Sequence, residues 1–89
     1  MSLARFFSKP RWQSKDATVR RQAVATENAA ELVAQLGQFA REDVDAGVRL
    51  AALKRLADPS LSQAMAQDDR DEGVRHAART LFTELLAGT

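Results

Sequence analysis

Five residues near the start of the chain combine positive charge with aromatic rings: Arg5, Phe6, Lys9, Arg11 and Trp12. Cationic side chains bind phosphate and aromatic rings stack on bases, so this segment is a candidate contact site for RNA or DNA. The alternative is that the rings fold back over the exposed end of the following domain while the charges stay in water. We assign residues 1–15 to a basic aromatic segment that caps the fold, with nucleic-acid binding as the alternative function.

Groups suited to catalysis are sparse. The chain has one histidine, His76, and no cysteine, so it offers neither a thiolate nucleophile nor a set of His and Cys metal ligands. It also lacks Gly-rich turns of the nucleophile-elbow, P-loop or dinucleotide type. Paired carboxylates alone can catalyse glycosyl chemistry, but each acidic residue here has a helix-capping or surface explanation. The sequence therefore predicts no catalytic, cofactor-binding or metal-binding residue and no small-molecule substrate.

Two acidic runs, residues 42–45 and 68–72, lie at equivalent points of a repeated pattern. Such runs can receive a basic partner or a hard cation, or they can cap and solvate the starts of helices. Their spacing is not that of an EF-hand loop, and we predict no calcium site.

The repeated pattern is Asp-x-x-Val-Arg-x-x-Ala, which begins at Asp16, Asp45 and Asp71 with spacings of 29 and 26 residues. These periods fit two short helices and two turns. The Asp is expected to cap a helix start, because its carboxylate accepts from unpaired backbone N–H groups there. Val and Ala lie four apart on one face, where the small Ala lets a neighbouring helix approach.

The Arg of the pattern projects beside this face, where its guanidinium can reach the carboxylate or the terminal carbonyls of an adjacent unit. We therefore expect an aspartate–arginine ladder along the stacked units, with the members Asp16, Arg20, Asp45, Arg49, Asp71 and Arg75. The role of this ladder is structural. Replacing Arg49 by Ala should lower the melting temperature by several degrees, given about 1–2 kcal/mol for a partly buried charged hydrogen bond.

The elements that position these residues are predicted to be helices. The apolar residues are mostly Ala, Leu and Val, and the chain contains only four Gly and two Pro. A capping box at Asn28 predicts a helix over 29–41, Asp58-Pro59 begins a short helix, and the last helix ends near Gly88. We predict five principal helices, arranged in units near 16–44, 45–70 and 71–87 of one repeat domain, 16–89.

Helix pairs with this motif resemble the HEAT-like repeat family, in particular its short, phycobilisome-lyase-type members. The resemblance covers residues 16–87 and implies an all-α fold, a right-handed α-solenoid of helical hairpins, that acts in protein–protein contact. Residues 5–16 resemble the N-terminus of a bacterial family of unknown function that carries such repeats. This second resemblance implies that the chain is the leading part of a larger protein.

Charge is unevenly distributed along the chain. Residues 1–21 hold six basic side chains and one acidic, a net +5, whereas the remaining 68 residues hold seven basic and eleven acidic, a net −4. No apolar run approaches the roughly 20 residues that span a bilayer, so a soluble protein is expected. The lack of cysteine is compatible with a reducing compartment, and we predict a cytoplasmic location. The function expected is a non-catalytic scaffold whose partner is a protein or another domain of a longer chain.

Overall fold

A computed structural model describes residues 9–88, and within this range the chain is all-α, as predicted. A short 3-10 turn, Arg11–Gln13, precedes six α-helices, and this part of the chain contains no strand. The helices are α1 (Ala17–Thr26), α2 (Ala30–Ala34), α3 (Leu36–Glu42), α4 (Ala46–Leu56), α5 (Pro59–Asp68) and α6 (Glu72–Leu86). None of the helices within residues 9–88 combines the length and the apolar composition that a membrane span requires.

Aspartates begin four of these helices. The carboxylates of Asp45 and Asp71 accept from the N–H groups of Val48 and Val74, both at 2.9 Å. Asp16 and Asp58 cap α1 and α5 in the same way, one residue closer to the helix start. Each cap satisfies a donor that the helix itself leaves unpaired. The last helix is followed by Gly88 at φ 73°, a left-handed conformation that suits glycine.

The single helix predicted over 29–41 is divided at Gln35, so the described chain has one helix more than expected. Gln35 adopts φ −103° and ψ 3°, and its N–H donates to the carbonyl of Leu32 at 2.9 Å, which tightens the turn between α2 and α3. The predicted capping box is wrong: α2 begins after Ala29 without a side-chain cap. The Asn28 side chain accepts from Arg55 instead, a partner distant in sequence.

The three helices that contain the motif are α1, α4 and α6, and α4 lies between the other two. It packs against α1 and α6, while α3 packs on α4 and α5 packs on α6. The motif alanines Ala23, Ala52 and Ala78 are fully buried where these helices meet. The fold measures 53 × 25 × 15 Å, so it is about twice as long as it is wide.

Candidate functional site

The turns before the motif helices share one hydrogen-bond arrangement. In the turn before α4, the Asp43 carboxylate accepts from the N–H of Asp45 at 2.9 Å, and in the turn before α6, Asp69 accepts from Asp71 at 2.9 Å. Ser14 takes this position before α1, and its hydroxyl accepts from the N–H of Asp16 at 3.1 Å. Each turn therefore places one oxygen-bearing side chain two residues before the capping aspartate.

Arg49 joins two of these turns. Its Nε and Nη2 donate to the two carboxylate oxygens of Asp69, both at 2.9 Å, and its Nη1 donates to the Asp43 carbonyl at 2.9 Å. One guanidinium thus bonds the turn before its own helix and the turn before the next motif helix. This forked geometry matches a carboxylate with two parallel hydrogen bonds.

Arg20 repeats the arrangement one unit earlier. Its Nε and Nη2 donate to Asp43 at 2.9 Å each, and its Nη1 donates to the Ser14 carbonyl at 2.8 Å. Arg75 makes the equivalent backbone bond, from Nη1 to the Asp69 carbonyl at 2.6 Å. The three motif arginines are therefore placed alike, and two of them hold a carboxylate.

The Arg49–Asp69 pair is almost completely enclosed, with side-chain exposures of 2% and 4%. Hydrogen bonding to Asp69 raises the pKa of Arg49 against the opposing effect of burial. Burial acts to raise the pKa of Asp69, but the hydrogen bonds from Arg49 and the Asp71 N–H outweigh it, and the net shift is downward. Both groups are held in their charged forms.

The ladder differs from the sequence prediction in its carboxylates. The predicted members Asp16, Asp45 and Asp71 cap their own helices, while the arginines bond Asp43 and Asp69. Sequence reasoning assigned these two residues only to acidic turns. The usable signal was the Asp-x-Asp spacing, which occurs at 43–45 and 69–71.

The basic aromatic segment is only partly described, since Arg5 and Phe6 lie outside the described residues. Lys9 is exposed, and Arg11 pairs with Glu27 at 2.9 Å and donates to Gln22 at 3.3 Å. Trp12 is 8% exposed and belongs to the hydrophobic core, where its Nε1 has no hydrogen-bond partner within the described part of the chain. The Trp12 ring is therefore not presented for stacking on a base.

A basic groove lies between α1 and α4, with a volume of about 830 Å³. Three cationic side chains line it, Arg21 from α1 and Lys54 and Arg55 from α4. Leu50 and Ala51 add apolar surface, and no carboxylate is among the lining residues. The groove can therefore hold a ligand that has both negative charge and apolar groups.

Arg21 and Arg55 are placed by different means. Gly47 lets Arg21 lie close to the start of α4, since a Cβ at position 47 would approach the Arg21 Cδ to 3.2 Å. Arg55 Nη1 donates to the carbonyls of Val24, at 3.1 Å, and Glu27. Arg55 thereby satisfies terminal carbonyls of α1 and fixes one end of the groove.

No cluster of three or more His, Cys, Asp or Glu side chains suited to a metal ion occurs within residues 9–88. His76 is exposed on α6.

No protein-family model matches the chain, and searches of curated proteins and of solved structures find no match either.

Proposed function

We propose that this chain is a non-catalytic scaffold of HEAT-like helical repeats that binds an acidic protein segment in the basic groove between α1 and α4. The observation that carries the proposal is the lining of this groove, which combines Arg21, Lys54 and Arg55 with the apolar Leu50 and Ala51. We place the protein in the cytoplasm of a bacterium and regard the chain as part of a longer protein, in keeping with the sequence resemblance.

The chemistry of the groove favours a peptide that presents carboxylates beside aliphatic side chains. Arg21 and Lys54 are exposed, so their charges remain accessible, whereas Leu50 and Ala51 are half-buried on the groove surface. Carboxylates would pair with the cations while a Leu or Phe of the ligand covers the apolar surface. A volume of about 830 Å³ suits a few side chains of such a peptide.

Side-chain hydrogen bonds join the two helices that form the groove, so we expect a ligand to bind with little loss of conformational entropy in the protein. Arg20 of α1 bonds Asp43 beside the start of α4, and Arg55 of α4 bonds carbonyls at the end of α1. The two helices are therefore tied together near both ends of the groove. In the α-solenoid that we propose, stacked repeats joined in this way present an extended binding surface.

We propose no catalytic role, because five of the aspartates already bind arginines or cap helices. Asp43 and Asp69 bind arginines, and Asp45, Asp58 and Asp71 cap helices. The lining of the groove includes neither an imidazole nor a carboxylate that would serve as a general base.

Nucleic-acid binding through the basic segment is the competing proposal. The exposed Lys9 and Lys15 support it, as does the positive charge of the first 21 residues. The burial of Trp12 and the pairing of Arg11 with Glu27 weigh against it, because both remove groups that would contact the nucleic acid.

Peptide display against the full chain tests the proposal. We expect the selected peptides to be enriched in Asp and Glu next to Leu or Phe. Their affinity should fall about tenfold when Arg21→Gln and Lys54→Gln are combined, since two partly exposed charge pairs contribute about 1 kcal/mol together or slightly more.

The matched control is the pair Lys15→Gln and Arg41→Gln, which removes the same charge from exposed positions outside the groove. An equal loss of affinity in this control would reject the groove as the site. Selection of peptides without acidic residues would reject the acidic ligand. Tight, salt-dependent binding of a single-stranded oligonucleotide that persists in the groove variant would favour the competing proposal.

A further inference from the structure

The residues that directly follow the motif arginines form a row across the three motif helices. They are Arg21, Leu50 and His76. Hydrogen bonds place the three motif arginines alike, and α4 packs against both α1 and α6, so the next residue takes the same place on each helix. Arg21 and Leu50 both line the basic groove. His76 therefore continues the line of groove residues onto α6.

The surface between α4 and α6 repeats the plan of the groove between α1 and α4. The groove residues of α4 correspond, 26 residues later, to four residues of α6, which are Gly73, His76, Ala77 and Thr80. Ala51 and Ala77 are both half-buried, and Lys54 and Thr80 are both exposed. Gly73 and His76 are exposed where their counterparts on α4 are half-buried. The second surface is thus at least as open as the first.

The start of α6 is uncovered at this surface. A Cβ at Gly47 would meet the Arg21 side chain at 3.2 Å, whereas a Cβ at Gly73 would meet only the capping Asp71 within 4 Å among the described residues. The groove between α1 and α4 stays open although α6 packs against α4. A further unit packed against α6 in the same way would therefore also leave this surface open.

The surface between α4 and α6 offers hydrogen-bond donors to an acidic ligand. Lys54 stands on its α4 side, and α6 adds the imidazole of His76 and the hydroxyl of Thr80. An imidazole donates an N–H to a carboxylate in either protonation state, and a hydroxyl donates as well. The carboxylate of Glu72 lies one turn before His76, at the equivalent of Ala46, which is not among the residues that line the groove.

We propose that the acidic segment bound in the groove crosses α1, α4 and α6 in an extended conformation, and that His76 determines its specificity by binding a second acidic residue. This inference rests on the proposed function. Packed helices lie about 8–10 Å apart and an extended chain advances about 3.3 Å per residue, so the segment reaches the next helix about every three residues. Its first, fourth and seventh residues are then acidic, aliphatic and acidic, opposite Arg21, Leu50 and His76.

Two synthetic peptides of equal charge and composition test this spacing. The first is Asp-Ser-Ser-Leu-Ser-Ser-Asp, and the second, Asp-Ser-Ser-Leu-Asp-Ser-Ser, places the second acid two residues too early. Each is titrated against the full chain by NMR, which measures weak affinities and shows which backbone amides shift. We expect the first peptide to bind about threefold more tightly, because one additional exposed charged contact is worth about that factor. Only the first peptide should shift the amides of His76 and Thr80.

A charge exchange tests His76 directly. His76→Asp should weaken binding of the first peptide about tenfold, because a favourable contact is replaced by a repulsive one. Replacing the last Asp of that peptide by Lys should restore binding to the His76→Asp variant and weaken binding to the natural chain. The matched control is Gln67→Asp, which adds the same charge at an exposed position of α5 and should not reverse the preference. Melting curves verify that both variants are folded.

The outcomes separate this inference from the proposed function. Equal affinity of the two isomeric peptides, or a preference for the Asp-ended peptide that survives His76→Asp, would overturn the role of His76 while leaving the groove as the binding site. Binding that is insensitive both to Arg21→Gln and to His76→Asp would reject the groove itself, and with it the proposed function.

Discussion

Arg49 and Arg75 occupy the same position of the same motif, but the environments of their side chains differ. Arg49 is enclosed between two turns and bonds both, whereas Arg75 is half-buried and bonds only the turn before its own helix. The difference follows from what lies beyond each helix, since α6 packs beyond α4 and no described element packs beyond α6. The motif arginine therefore joins the turn before its own helix to the turn before the neighbouring motif helix. Its contribution to the free energy of unfolding depends on whether that neighbouring helix is present.

The largest effect is expected from Arg49→Ala. The substitution leaves the Asp69 carboxylate buried without its guanidinium, which costs about 3–5 kcal/mol for a buried ion pair that loses one partner. The melting temperature should fall by more than about 10 °C in a domain of this size. This is a larger effect than the sequence alone suggested, because the pair is almost completely enclosed. Urea and thermal unfolding measure it.

The control for Arg49→Ala is Lys54→Ala on the same helix, an exposed residue whose replacement should change the free energy of unfolding by less than about 0.5 kcal/mol. Equal stability of the two variants would show that the hydrogen bonds from Arg49 to the two turns do not contribute to the free energy of unfolding.

A smaller loss is expected from Arg20→Ala. Arg20 makes the same set of bonds as Arg49, but its pair with Asp43 is more open to solvent, with side-chain exposures of 12% and 8%. We expect about 1–3 kcal/mol from the loss of charged hydrogen bonds, measured by the same unfolding curves. A loss of stability greater than that of Arg49→Ala would show that the burial of the ion pair does not determine how much each arginine contributes.

Acid should weaken the Asp69 connection. The pKa of Asp69 is lowered in the folded chain, so its ionised form contributes stability that is present above its unfolded pKa of about 3.9. That contribution is lost as the pH falls through the lower folded value. The stability difference between the natural chain and Asp69→Asn should therefore shrink as the pH is lowered from 7 to below about 4. A difference that stays constant over this range would show that the charge of Asp69 does not matter.

The smallest effect is expected from Arg75→Ala. This variant loses one charged hydrogen bond to the Asp69 carbonyl and no carboxylate pair among the described residues, so the cost should be about 1 kcal/mol. Unfolding in urea, with Arg49→Ala as the reference, measures the contrast. A loss of stability as large as that of Arg49→Ala would mean that Arg75 contributes as much as Arg49, although only Arg49 pairs with a carboxylate among the described residues.

The fold was predictable where local chemistry decides it. Asp16, Asp45, Asp58 and Asp71 begin helices because a carboxylate two or three residues before a free N–H satisfies it whatever the rest of the chain does. The buried Ala52 and Ala78 followed from the motif spacing in the same way. The solenoid arrangement and the repeat family remain proposals.

Long-range packing decided the features that the sequence did not reveal. Asn28 has the sequence context of a cap, but Arg55 takes its side-chain oxygen as a partner. Asp43 and Asp69 have the sequence context of ordinary acidic turn residues. Their pairing with Arg20 and Arg49 depends on how the helices pack against one another. The groove between α1 and α4 depends on the same packing, so its three cations were not recognisable as a group in the sequence.

A double-mutant cycle of Arg49→Gln and Asp69→Asn tests the central claim most directly. Asn can still accept from the Asp71 N–H, so the cycle isolates the pairing between the two side chains from the geometry of the turn. We predict that the double variant is about 2 kcal/mol more stable than the sum of the two single losses would give, because each single change leaves one buried group unpaired. Losses that add within about 0.5 kcal/mol would contradict the claim that this pair joins consecutive units of the fold.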